Sequence, residues 1–266
     1  MDSLRIGIFD SGVGGLSVLR AVRARLPGAT LHYLADSAHA PYGERDDAFI
    51  RERSMRLTRC LLDHGARVVL IACNTATAVA VGPLRQAFAE LPIVGVEPGI
   101  KPALAASRNG RIGVMATGAT LRSAKFRALL AAHARGAQVH LQACHGLAAA
   151  IEAGDLGSAA LRTLVERHCA PLREAGVDAV VLGCTHYPFA RHLIEATLGP
   201  QVHVVDTAQA VARRTAEVCT ALATGNAPVG PTEVRLETNG DPAHLRRLAA
   251  RWLPFECTVA SAPRDV

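Results

Sequence analysis

A chain of 266 residues, half of them hydrophobic and one fifth charged, has the material for one large or two small packed domains and excludes global disorder. The 29 basic and 23 acidic residues leave a formal net charge of +6. The basic residues are dispersed and aromatics are only 4%, so base-stacking platforms are scarce, which points to a solvated basic surface and away from nucleic acid.

Seven cysteines, an odd number without a C-x-x-C spacing, exclude a disulfide scaffold and predict free thiols in a reducing compartment, the cytoplasm. The start Met1-Asp2-Ser3 leads straight into a strand pattern, and no signal peptide is read there. The longest uncharged run, residues 68–84, is short of the roughly 20 apolar residues a membrane span needs. Asn74, Thr75, Thr77 and Gly82-Pro83 interrupt it, so it reads as strand, polar turn and helix.

In chain order, apolar runs of strand length at 6–9, 31–34, 68–72 and 93–96 alternate with helical spacing over 16–26, 48–64 and 76–89. The rhythm resumes with strands at 112–115, 139–143, 179–182 and 202–205. Continuous apolar strands joined by helices predict an α/β fold, a parallel sheet covered on both faces.

The two halves are alike. Arg5-Ile6-Gly7-Ile8 returns as Arg111-Ile112-Gly113-Val114, at an offset of 106. Val69–Cys73 returns as Val180–Cys184 at 111, and Val94–Glu97 as His203–Asp206 at 109. Near-constant offsets predict a duplicated α/β unit. The helix from about Thr207 and the tail through 233–238 and 255–259 fall outside the repeat. They are expected to pack back on the first unit, giving one domain over 1–97 plus 208–266 and a second over 98–207.

Cys73 and Cys184 hold equivalent places, each at the C-terminal end of a buried strand and followed by polar residues, Asn74-Thr75 and Thr185-His186. That edge is where open α/β sheets bind ligands, and a helix N-terminus there favours a thiolate. The other cysteines lack this setting and read as structural. Asp10-Ser11-Gly12-Val13-Gly14-Gly15 follows the first strand. As a dinucleotide fingerprint it has G-x-G and Asp36 after the second strand, but Ser17 stands where the third Gly belongs. The alternative is a tight turn that aims Asp10 and Ser11 into a cleft. Residues 36–45, with Pro41-Tyr42-Gly43, form a loop that is either a structural turn or a binding loop offering the Tyr42 hydroxyl. No four-ligand metal spacing occurs, and Lys101 and Lys125, the only lysines, lack the setting of a Schiff-base residue.

The blocks Asp10–Ser17, Pro41-Tyr42-Gly43, Ala72–Thr77 and Gly183-Cys184-Thr185-His186-Tyr187-Pro188 together resemble glutamate racemase, in order and over nearly the whole chain. The resemblance implies two flavodoxin-like domains with the active site in the cleft between them, commonly in a homodimer. It implies cofactor-independent interconversion of L- and D-glutamate, supplying D-glutamate for peptidoglycan. It makes Cys73 and Cys184 the two acid/base residues, with Asp10 and His186 assisting. Asp10, Ser11, Pro41, Tyr42, Gly43, Asn74, Thr75, Thr117, Thr120, Thr185 and His186 are then substrate-binding, and Glu152 is a supporting carboxylate. Some members of the family inhibit DNA gyrase; the basic surface does not exclude that partner and nothing in the sequence supports it. The competing readings are an aspartate or other amino-acid racemase of the same superfamily and, from a different class, a nucleotide-binding oxidoreductase.

Overall fold

The computed structural model describes residues 4–222 and 232–266, so the Met1-Asp2-Ser3 start lies outside the described residues. The described residues fall into two compact units, one within Met1–Val96 and Ala208–Val266 and the other within Glu97–Thr207.

The first unit opens with β1 (Arg5–Asp10), α1 (Leu16–Arg25), β2 (Thr30–Ala35), α2 (Asp47–Asp63), β3 (Val68–Ile71), α3 (Asn74–Ala87) and β4 (Ile93–Gly95). β2 and β3 are buried along their whole length, and so is β1 after Arg5, which is why these strands read as unbroken apolar runs. The second unit holds α4 (Ile100–Ala106), β5 (Arg111–Ala116), α5 (Gly118–Arg122), α6 (Ala124–His133), β6 (Gln138–Ala143), α7 (Leu147–Glu152), α8 (Ala159–Glu174), β7 (Ala179–Gly183), α9 (Arg191–Leu198) and β8 (His203–Val205). The chain then returns to the first unit with α10 (Ala208–Leu222), β9 (Val234–Thr238), α11 (Pro242–Trp252) and β10 (Thr258–Ser261).

The first sheet runs β10-β9-β2-β1-β3-β4 and the second β6-β5-β7-β8, parallel throughout. The core order β2-β1-β3-β4 repeats as β6-β5-β7-β8. Right-handed crossovers put α1 and α11 on one face of the first sheet and α2 and α3 on the other. The helices that follow β4 and β8 each belong to the unit other than that of the strand before them. α4, after β4, packs on β7 and β8, while α10, after β8, packs on α1, β3 and β4.

The ladders correct one landmark of the repeat. Val69 pairs with Ile93 and Val180 with Val204, so Ile93 corresponds to Val204, 111 positions on. The offset of 109 read from Val94–Glu97 is two residues short. A shift of two keeps every side chain on its own face, so the apolar pattern could not reveal it. β6 departs from the fully covered strands: it is an edge strand, and Leu141 on it is 46% exposed. The predicted elements omit α11, although Asp241 caps it, Pro242 opens it, and Leu245, Leu248, Ala249 and Trp252 give it a buried stripe.

The repeated Arg-Ile-Gly motif has a packing cause. A Cβ on Gly7 would stand 2.9 Å from Leu61 Cβ and 3.0 Å from Ala66 Cβ, so the glycine lets the end of α2 close on β1. On Gly113 it would meet the methyl ends of Leu172 and Val180, at 3.1 Å. Gly7→Ala is therefore expected to destabilise by about 1–3 kcal/mol and Gly113→Ala by less, because the added methyl at Gly7 falls on two Cβ atoms fixed to the backbone, whereas at Gly113 it meets side-chain methyls slightly farther off. The midpoints of urea unfolding of both variants check this order.

Candidate active site

At the C-terminal edge of the first sheet, Asp10 ends β1 and Cys73 lies just past β3. Asp10 is fully buried, and its Oδ2 accepts the Gly15 backbone N–H at 2.7 Å. Gly15 is the residue from which α1 starts. The glycine turn is packed to the limit, since a Cβ on Gly15 would come within 2.9 Å of Ala72, Asp10 and the Tyr33 hydroxyl. Tyr33 in turn donates to the Gly12 carbonyl at 2.7 Å. The N–H that a pyrophosphate would take at this helix start is bonded to the protein's own carboxylate, which removes the dinucleotide fingerprint.

Ser11 links Asp10 to the thiol: its hydroxyl donates to Asp10 Oδ1 at 3.4 Å, and the Cys73 thiol donates to Ser11 Oγ at 3.7 Å. Cys73 is also the N-cap of α3, its sulfur accepting the Ala76 N–H at 3.4 Å. A sulfur that receives a helix-start N–H lies in the partial positive field of the helix, which stabilises negative charge on it. Asn74 and Thr75 form the first turn of α3 and are buried, and the Asn74 side-chain amide donates to the Val96 carbonyl at 3.4 Å. Pro41 follows a cis peptide bond from Ala40, with Tyr42-Gly43 in the next turn. The Tyr42 hydroxyl, offered to a ligand on sequence grounds, is buried and donates to Asp36 instead.

The second sheet builds a different surrounding for the matching thiol. Cys184 follows the last residue of β7 and lies 3.7 Å from His186 Nδ1. The other nitrogen, Nε2, lies 2.5 Å from Glu152 Oε2, at the end of α7. Burial of the His186 ring works against its proton, but contact with the Cys184 thiol and the Glu152 carboxylate wins and holds its pKa well above the ordinary range. Thr185 is buried beside them. Thr117 caps α5 at the end of β5, its hydroxyl 2.9 Å from that of the buried Thr120. Within each unit, the expected site residues thus gather at one sheet edge: Asp10, Ser11, Cys73, Asn74 and Thr75 in the first, and Thr117, Thr120, Cys184, Thr185 and His186 in the second.

The remaining thiols have other settings. Burial pushes Cys169 up to about 12 and both Cys60 and Cys219 up to about 11, and Cys144 is pushed up too. Among the described residues, no group of three or more His, Cys, Asp or Glu stands ready for a metal, and no helix is long and apolar enough to cross a membrane.

Residues 16–215 match the Asp/Glu/Hydantoin racemase family. A glutamate racemase from Pseudomonas aeruginosa is 48% identical over 251 residues, 93% of each chain. The chain belongs to the Asp/Glu/Hydantoin racemase family. Within it the chain groups with the glutamate racemases and is an isomerase. The fold agrees: a glutamate racemase from Bacillus anthracis superposes at a TM-score of 0.88, with 28% identity and 97% of both chains covered. The Escherichia coli glutamate racemase, solved with L-glutamate and the activator UDP-MurNAc-Ala, superposes at 0.85 with 30% identity, covering 97% of this chain and 100% of that one.

Asp36, which takes the Tyr42 hydroxyl, and Arg53 and Asn239, which bond to Asp36, were not among the expected site residues. The acidic residue after the second strand was visible in the sequence; its partners lie far from it along the chain.

The raised pKa of His186 sets a pH dependence. Glu152 favours the charged ring, so Glu152→Gln removes that support and lowers the pKa of His186. An activity that uses the imidazolium is lost as pH rises through that pKa. The variant is expected to lose kcat/KM at a lower pH than the parent, measured as pH profiles in both reaction directions. Coincident alkaline limbs would show that Glu152 does not govern His186.

Proposed function

We propose that this chain interconverts L- and D-glutamate by two proton transfers, with Cys73 and Cys184 as the acid/base pair. Inverting a carbon centre by proton transfer needs a base on one face of the α-carbon and an acid on the other. A duplicated unit with one thiol at each sheet edge supplies two such groups, and this symmetric pair is the single observation that carries the proposal.

The supports differ between the halves. On the first, Asp10 reaches Cys73 through Ser11 and keeps a proton acceptor next to the thiol. On the second, a charged His186 stands against the Cys184 sulfur and can pass a proton to it. The α-carboxylate and side-chain carboxylate of glutamate are then met by neutral donors. These are the backbone at residues 41–43, Asn74 and Thr75 of the first unit, and Thr117, Thr120 and Thr185 of the second. Tyr42 serves through its backbone, since its hydroxyl is turned to Asp36. Helix starts carry much of the substrate's charge, in keeping with the absence of arginine from the matched motifs.

We further propose that the reaction needs no metal, nucleotide or pyridoxal phosphate and that it supplies D-glutamate for peptidoglycan in the cytoplasm, where all seven cysteines stay reduced. A homodimer is the expected assembly.

Cys73→Ala and Cys184→Ala are each expected to lower racemisation by at least 10²-fold while the protein stays folded, the usual cost of losing a positioned acid or base. Cys219→Ala, remote from both edges, is expected to keep most of the activity. Chiral chromatography of glutamate incubated with each variant reads the outcome. More than about a tenth of the parent rate in either active-site variant would contradict the assignment. Separately, dialysis against EDTA and hydroxylamine in the presence of a reductant is expected to leave the rate unchanged. A loss restored by adding back metal or pyridoxal phosphate would contradict the cofactor-free chemistry.

A further inference from the structure

The fully buried Asp36 carboxylate, one residue past β2, is a meeting point of three other segments. Arg53 of α2 donates to it through Nε at 3.0 Å and Nη2 at 2.8 Å. His39 and Tyr42 reach it from the loop, His39 through Nδ1 at 2.8 Å and Tyr42 through its hydroxyl. Asn239, just past β9, donates its side-chain N–H to the same carboxylate. A carboxylate offers about four lone-pair directions, and these five contacts, three on Oδ1 and two on Oδ2, leave none open.

Asn239 also faces the other way. Its Oδ1 accepts the Ala38 backbone N–H at 3.0 Å, so one amide ties the loop's backbone to the carboxylate. The neighbouring Gly240 lets the two segments touch, since a Cβ there would lie 2.9 Å from Ser37 Cβ. A buried ion pair adds little net stability over apolar residues of the same size, but it fixes geometry when every partner is satisfied. Here the geometry fixed is that of the Tyr42 ring, and with it the backbone of residues 41–43.

We propose that Asp36, Arg53 and Asn239 are positioning residues for the substrate, a polar clamp that presets the 41–43 backbone to receive a glutamate carboxylate. This rests on the assignment of that loop to glutamate binding. The clamp explains why the C-terminal segment returns to the first sheet: β9 lies beside β2 and delivers Asn239 to the loop. Contacts made through a preset backbone act on ground state and transition state alike, so loosening them raises KM and spares kcat.

The test is steady-state racemisation by the full chain, in both directions, with Asn239→Ala, Arg53→Lys and Tyr42→Phe. Each substitution removes part of the clamp and leaves both cysteines in place. The expected result is a KM for glutamate raised about tenfold with kcat within about threefold of the parent. Arg53→Lys should not rescue, because an ammonium cannot repeat the two-point contact of the guanidinium. Hydrogen exchange of the 38–45 amides, followed without substrate, should rise in Asn239→Ala and Tyr42→Phe. A lowered Tm with unchanged KM and unchanged loop exchange would reduce the cluster to a fold element and overturn the proposal. An unmodified chain that turned over no glutamate would defeat the underlying assignment, and would show it before any variant was compared. If Asn239→Ala does not fold, Tyr42→Phe, which loses one hydroxyl, carries the same comparison.

Discussion

A parallel ladder fixes its strands in register, so the residue at which each strand stops decides which side chain stands at the ligand-binding edge. Phe9 pairs with Ile71 in the first sheet and Ala116 with Gly183 in the second. The chain leaves both ladders just before a cysteine. Other contacts at the two edges depend on that exit: the glycine turn must be tight enough for Asp10 to receive the Gly15 N–H, and α7 must end where Glu152 can reach His186. Burial makes these contacts matter, because Asp10, Cys73, Cys184 and His186 are all nearly or fully removed from water.

The duplication gives matching thiols with unlike neighbours. Cys73 has a helix N–H and a hydroxyl leading to a carboxylate; Cys184 has an imidazole leading to a carboxylate. A reaction that runs in both directions does not need identical halves. It needs each group to be a competent acid in one protonation state and a competent base in the other, and two different supports can meet that need.

Much of this was legible in the sequence. The strands that read as apolar runs, residues 6–9, 31–34 and 68–72, form the buried centre of the first sheet, where both faces are covered and period and burial agree. The two cysteines were legible because repetition marked them against five others. The offset of the third landmark was not, since a two-residue slip leaves the facing of every side chain unchanged. The destination of the Tyr42 hydroxyl was not legible either. It depends on Arg53 and Asn239, and no local pattern brings a residue 203 positions from Asp36 to its carboxylate. Nor did the helix of residues 242–252 stand out, its polar face being rich in arginine and its buried stripe short.

The central claim is that two thiols work on opposite faces of one carbon, and isotope exchange tests it directly. Thiol protons exchange with solvent while the site is empty. In deuterated water, starting from L-glutamate, the first D-glutamate formed should therefore carry deuterium while the remaining L-glutamate stays protiated. Early-time mass spectrometry of the separated enantiomers reads this without reference to any substitution. A single base that swings between faces would return the original proton, and substantial protiated D-glutamate in the first few turnovers would contradict the two-thiol mechanism.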